Sequence, residues 1–121
     1  MARILVVDDE PDVRELVEAL LAGPGRDIEG ADGGKAALDR LSVQSYDLVV
    51  CDLRMPEIDG VQVYRAIQQQ PAPRPTVLFM SGFTNAAQFV PFFREVEAAV
   101  AEKPFDVPGL RRTVSRLLGE A

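Results

Sequence analysis

The chain has 121 residues, of which 47% are hydrophobic and 26% charged, enough for one globular domain with its own core. Its formal net charge of −6 gives a surface that repels nucleic-acid phosphates, which argues against direct DNA or RNA binding. No apolar run approaches the roughly 20 residues of a membrane span, and residues 1–7 lack the form of a signal peptide; a cytoplasmic protein without membrane contact is expected.

Ile4-Leu5-Val6-Val7 is an unbroken aliphatic run that stops at Asp8-Asp9-Glu10. A short run without alternation, ended by polar residues, predicts a strand buried on both faces. Pro11 suits a first helical turn, where no N–H is needed. Val13, Leu16, Val17, Leu20 and Leu21 then recur at helical spacing, predicting an amphipathic helix that ends before Gly23-Pro24-Gly25.

A weaker strand is expected over 27–31 and a helix over 34–41, with Ala37, Leu38 and Leu41 inward. Leu48-Val49-Val50-Cys51 reads as a second buried strand, halted by Asp52. A loop over 53–59 leads to a helix carrying Val61, Tyr64 and Ile67, closed by Pro71, Pro73 and Pro75. Thr76-Val77-Leu78-Phe79-Met80 predicts another core strand, ended by Ser81-Gly82.

Phe89, Phe92, Phe93 and Val96 have helical spacing, yet an interior Pro91 would cost a helix about 3 kcal/mol. A short helix starting near Pro91 is therefore expected, with 85–90 irregular. Its phenylalanines either fill the core or form an exposed partner surface. A short strand over 98–101 runs into Lys103-Pro104, and Leu110, Val114, Leu117 and Leu118 mark the last helix.

Strands alternating with helices at short spacing imply a parallel sheet covered on both faces, a single α/β domain over residues 1–121. In such a sheet, ligands bind beyond the carboxyl ends of the strands. Those ends carry Asp8 and Asp9, Asp52, Ser81 and Lys103. Like charges at about 4 Å cost on the order of 4 kcal/mol at an effective dielectric near 20, so a cation is needed there. All-oxygen ligation with little caging suits Mg²⁺, and a carboxylate facing Mg²⁺ and an ammonium can attack phosphorus. Singly, each residue has a plainer reading: Asp8 and Asp9 as helix caps, Asp52 and Ser81 as turn residues, Lys103 as a solvated charge. Cys51 is the only cysteine and there is no histidine, which excludes a disulfide within the chain and histidine-based catalysis or ligation.

The run from Ile4 to Pro11, the run from Tyr46 to Gly60 with Asp52 at its centre, Ser81-Gly82 and Lys103-Pro104-Phe105 together resemble the receiver domains of two-component response regulators. The resemblance covers essentially the whole chain and implies a flavodoxin-like fold of strand order 2-1-3-4-5. It implies that Asp52 accepts a phosphoryl group from a sensor histidine kinase or phosphotransfer protein and thereby switches an output partner. By the same resemblance, Asp9 and Asp52 with the backbone carbonyl of Arg54 would ligate Mg²⁺, and Asp8 would hold a metal-bound water. Lys103 and Ser81 would meet the phosphoryl oxygens. A homodimer through the fourth helix, fifth strand and fifth helix is also implied, and a signalling switch rather than a turnover enzyme.

One position departs from the pattern and two more qualify it. Val100 stands where the family usually places an aromatic switch residue, so a smaller or rerouted change is expected, borne by Phe83 or Phe105. Arg54 and Phe83 flank the site with bulky side chains, which predicts a long-lived phosphorylated state. The competing readings are a receiver-like adaptor that is never phosphorylated, a phosphatase of the haloacid-dehalogenase type and a flavodoxin. The phosphatase needs Asp-x-Asp at the first strand, which Asp8-Asp9-Glu10 lacks. In a flavodoxin the acids would repel the cofactor phosphate.

Overall fold

The structure, a computed structural model, describes residues 1–81, 89–96, 99–102 and 106–120. The described elements are β1 (Ala2–Val7), α1 (Pro11–Leu21), β2 (Arg26–Ala31), α2 (Gly34–Val43), β3 (Leu48–Asp52), α3 (Gly60–Gln68), β4 (Thr76–Ser81), α4 (Val90–Glu95), β5 (Ala99–Glu102) and α5 (Val107–Leu117). Every strand pairing is parallel, and the order is β2-β1-β3-β4-β5. Among the described residues no helix is long and apolar enough to cross a membrane.

The unbroken aliphatic runs follow from a sheet covered on both sides. Leu5, Val7, Val49, Cys51, Val77 and Phe79 face one apolar layer, which they share with Ala37 and Leu41 of α2, Val63 and Ile67 of α3, and Phe92 of α4. Ile4, Val6, Leu48, Val50, Leu78 and Met80 face the other, against Val17 and Leu21 of α1 and Leu110 and Val114 of α5. Successive strand residues point to opposite faces, so a strand with two dry faces has no polar position.

Helix α4 starts at Val90 with Pro91 in its first turn, one residue earlier than expected, and Phe89 precedes it. Residues 85–88 of the expected irregular stretch lie outside the described residues. Phe89 and Phe92 are buried and Phe93 partly so. The ring of Phe92 meets Tyr64 at 5.4 Å, Phe79 at 5.5 Å and Phe93 at 5.2 Å, all near edge-to-face, the arrangement favoured by ring quadrupoles. The core reading of these rings therefore holds.

Two inward assignments, Leu16 and Leu38, need correction. Leu16 is 53% exposed, because α1 packs along Val17 and Leu21 and leaves Leu16 on its flank. In α3 the buried line is Gly60, Val63 and Ile67, and the expected Val61 and Tyr64, partly buried, pack against the same core. Leu38 of α2 is likewise half-buried, and α2 continues two residues past the expected end, to Val43.

The far end of the chain is tied back to the edge strand. The Arg26 guanidinium donates to both carboxylate oxygens of Glu120, at 2.7 and 3.2 Å, to the Leu21 carbonyl at 2.9 Å and to the Ser115 hydroxyl at 3.2 Å. That contact joins β2, the end of α1 and the end of α5.

Two predictions follow from this packing. Phe92→Ala removes a ring wedged among three others and should cost about 3–5 kcal/mol, read as a lower urea midpoint at unchanged slope; an unmoved midpoint would show the cluster to be slack. The hydrogen bond from Arg26 holds the Glu120 carboxyl below its ordinary range, so its contribution is present above the unfolded range and disappears as pH falls through the folded one. The thermal midpoint of the protein should exceed that of Glu120→Gln near neutrality, and the two should converge in acid; a constant difference would contradict the assignment.

Candidate phosphoacceptor and metal site

Strand β1 ends at Val7, and Asp8 is fixed by three backbone-level contacts just beyond it. Its N–H donates to the Ala31 carbonyl at 3.1 Å, its Oδ1 accepts from the Glu10 N–H at 3.0 Å, and its carbonyl accepts from Arg14 at 3.0 Å. Asp8 is fully buried and Asp9 partly exposed. The capping role considered for these acids is not what the structure shows: the N-cap of α1 is Glu10, with no side-chain cap bond.

Asp52 is the last residue of β3, one place later than the run of apolar residues, and is 7% exposed. Its neighbour Cys51 is fully buried and donates its thiol to the Asp52 carbonyl at 3.3 Å. Burial, followed by the charges of Asp52, Asp8 and Asp59, pushes that thiol far above its ordinary range, so it remains protonated beside the acids.

The loop after Asp52 folds back at once. Leu53 donates to the Met80 carbonyl at 3.2 Å, and Gly60 donates to the Leu53 carbonyl at 3.0 Å. A Cβ on Gly60 would strike the Asp52 carbonyl oxygen and lie 3.0 Å from the Leu53 Cα, so the first residue of α3 has to be glycine for the helix to sit this close. Asp59 and Gln62 form a reciprocal capping box that starts α3 at that point. The Asp-x-x-Gln spacing was a readable signal for it.

One carboxylate oxygen from each of Asp8, Asp9 and Asp52 lies within 4.8 Å of the other two, the only such acid group among the described residues. Three carboxylates at that separation, two of them buried, form a donor set of hard oxygens that fits a small divalent cation and would be repulsive without one. Ser81, the last residue of β4, is buried and follows Met80, the register partner of Asp52. Its own partner is Glu102, the end of β5. Arg54 is exposed on the loop, and an open groove of ≈ 340 Å³ lined by Arg54, Met55, Pro56, Asp59 and Phe89 adjoins it. Val100 sits within β5 opposite Phe79 and packs partly against the aromatic layer. Lys103, Phe83 and Phe105 lie outside the described residues.

A family model for the response regulator receiver domain matches residues 4–115. The transcriptional regulatory protein ZraR of Escherichia coli is 33% identical over 115 residues, which is 95% of this chain but only 26% of ZraR, so the chain spans about a quarter of that relative. The response regulator receiver protein CpdR of Brucella abortus is 29% identical over 118 residues, 98% of each protein. Among solved structures, the receiver domain of NtrX from Brucella abortus superposes with a TM-score of 0.82 at 31% identity, covering 98% of this chain and 99% of that one. The receiver domain of the sensor histidine kinase PA1611 from Pseudomonas aeruginosa, solved with a magnesium ion coordinated in its active-site cleft, gives 0.86 at 25% identity, with 98% of both chains covered. The strand order, the acids gathered at one edge of the sheet and a family match running through nearly the whole chain lead to one conclusion: this protein belongs to the response regulator receiver domain family.

Proposed function

We propose that the chain is a phosphorylation switch in which Asp52 takes a phosphoryl group from a phosphohistidine on a sensor histidine kinase or phosphotransfer protein. The observation that carries this reading is the meeting of Asp8, Asp9 and Asp52 oxygens at the sheet edge. An Asp52 oxygen attacks phosphorus, the bond from phosphorus to the donor imidazole nitrogen breaks, and the imidazole leaves with that electron pair. An acyl phosphate results.

The residues divide the work by charge. Asp9, Asp52 and the backbone carbonyl of Arg54 would hold Mg²⁺, with Asp8 on a water of its shell; when bound, that ion supplies positive charge for the phosphoryl oxygens. Ser81 would donate its hydroxyl to the new phosphate and Lys103 its ammonium. The Asp52 carbonyl and the Leu53 backbone, pinned by Cys51, Met80 and Gly60, keep the nucleophile from turning away. Proximity of this kind is most of what phosphoryl transfer asks of a protein.

The full acid set speaks against an adaptor that is never phosphorylated. For the output, the ring partner common in the family is replaced by Val100 beside Phe79, so the response to phosphate would be smaller or routed elsewhere, toward Phe83 or Phe105. An output partner or a second copy would then meet the α4–β5–α5 face.

Incubation with acetyl phosphate and Mg²⁺ should add one acid-stable, base-labile phosphoryl group by intact mass. It should be lost in Asp52→Asn and on removal of the metal by EDTA; labelling that survives Asp52→Asn would overturn the assignment. Arg54, exposed beside the groove, should shield the acyl phosphate from water with Phe83. Arg54→Ala should therefore shorten the phosphorylated lifetime several-fold, and an equal lifetime would refute the shielding role.

A further inference from the structure

The acidic turn after β1 has to keep two carboxylates pointed at a third, and a cationic side chain of α1 bonds the backbone of that turn. The Arg14 guanidinium, from the second turn of α1, donates to the Asp8 backbone carbonyl at 3.0 Å. Arg14 is half-buried, and it crosses the edge strand at Gly30, the register partner of Val6. A Cβ at Gly30 would lie 3.3 Å from the Arg14 Cδ and would strike the Glu18 carboxylate. The missing side chain is what leaves room for the two α1 side chains to lie across β2.

We propose that Arg14 is a positioning residue for the acidic pocket, holding the Asp8 carbonyl so that the turn aims Asp8 and Asp9 at Asp52, with Gly30 as the space that lets it do so. The choice of acceptor matters. A guanidinium on the Asp8 carboxylate would compete with a metal ion for the same oxygen lone pairs. On the carbonyl it restrains the turn and leaves those oxygens available. Arg14 acts alongside the Ala31 carbonyl that receives the Asp8 N–H and the Glu10 N–H that meets Oδ1. Groups that orient ligands in this way typically change metal affinity on the order of tenfold or more when removed.

The inference rests on the magnesium reading above, and the sign of the effect separates positioning from mere charge. Losing a cation near the acids should tighten Mg²⁺ binding if charge alone matters, since the divalent ion is then repelled less. Losing a positioning contact should weaken it. Mg²⁺ affinity is measured by calorimetry on the full chain for wild type, Arg14→Ala and Gly30→Val, the last striking Glu18 and crowding Arg14 while keeping the charge of Arg14. In parallel, amide hydrogen exchange of Glu10 is followed by NMR without metal, with Val17 and Leu21 as reference amides in the core of α1.

The expected result is Mg²⁺ binding weakened on the order of tenfold in both variants, faster exchange at Glu10, and unchanged Val17 and Leu21. Arg14→Lys, which keeps a donor for the carbonyl, should recover part of the loss. Tighter or equal Mg²⁺ affinity with unchanged Glu10 exchange would overturn the proposal, as would equal acceleration at Val17 and Leu21, which marks general loosening. If wild type binds no Mg²⁺ while Glu10 still loosens in the variants, the magnesium reading fails and the restraint on the turn stands.

Discussion

The constraint on which the rest of the structure depends is the mutual repulsion of Asp8, Asp9 and Asp52. Two of these carboxylates are buried, and oxygens of all three lie within 4.8 Å of one another. Left to themselves they would turn outward to water, since desolvating a charge beside like charges is among the costliest arrangements in a folded chain. They are kept together by restraints on the backbone: Asp8 through its N–H, carbonyl and Oδ1, Asp52 through a strand whose residues are all buried and through the chain that turns back under Gly60. Two apolar layers supply the stability that offsets this local cost. A cluster of like charges is tolerable here because the sheet that carries it is dry on both faces.

The sheet was legible in the sequence for the same reason. Burial on both faces forbids polar residues within a central strand, so Ile4 to Val7 and Leu48 to Cys51 stand out as aliphatic runs and the first polar residue marks the edge. Strand ends moved by a residue where that polar residue still pairs, as Asp52 and Ser81 do. Helices were less transparent. The spacing in α1 makes Leu16 look as buried as Val17, but only the contact with the sheet decides which side of a wide stripe is covered, and Leu16 falls outside it. In α3 the apolar positions Val61, Tyr64 and Ile67 were legible and all meet the core. The buried line begins at Gly60, whose lack of a side chain hid it from any apolar pattern.

The site divides along a similar boundary. Its acids and Ser81 could be read because strand ends in a parallel sheet share one edge, so position in the sequence already implies position in space. What supports them could not. Arg14 looks like any basic residue on the polar side of an amphipathic helix, and Gly30 like a weakness in an unconvincing strand. Their relation exists only once α1 is laid across β2. The capping box at Asp59 and Gln62 was the exception: a local motif with a local signature, which also sets where α3 begins against Asp52.

These supports share a physical character that bears on how the site can work. The contacts that aim the acids go largely to carbonyls and N–H groups: Arg14 and Ala31 on the backbone of Asp8, the Cys51 thiol on the Asp52 carbonyl, Gly60 on the Leu53 carbonyl. Restraints on the backbone fix the direction in which the acids point, so the geometry of the cluster is set in advance. By the same logic the aromatic layer of Tyr64, Phe79, Phe92 and Phe93, close-packed beneath β4 and opposite Val100, is a stiff floor under the site.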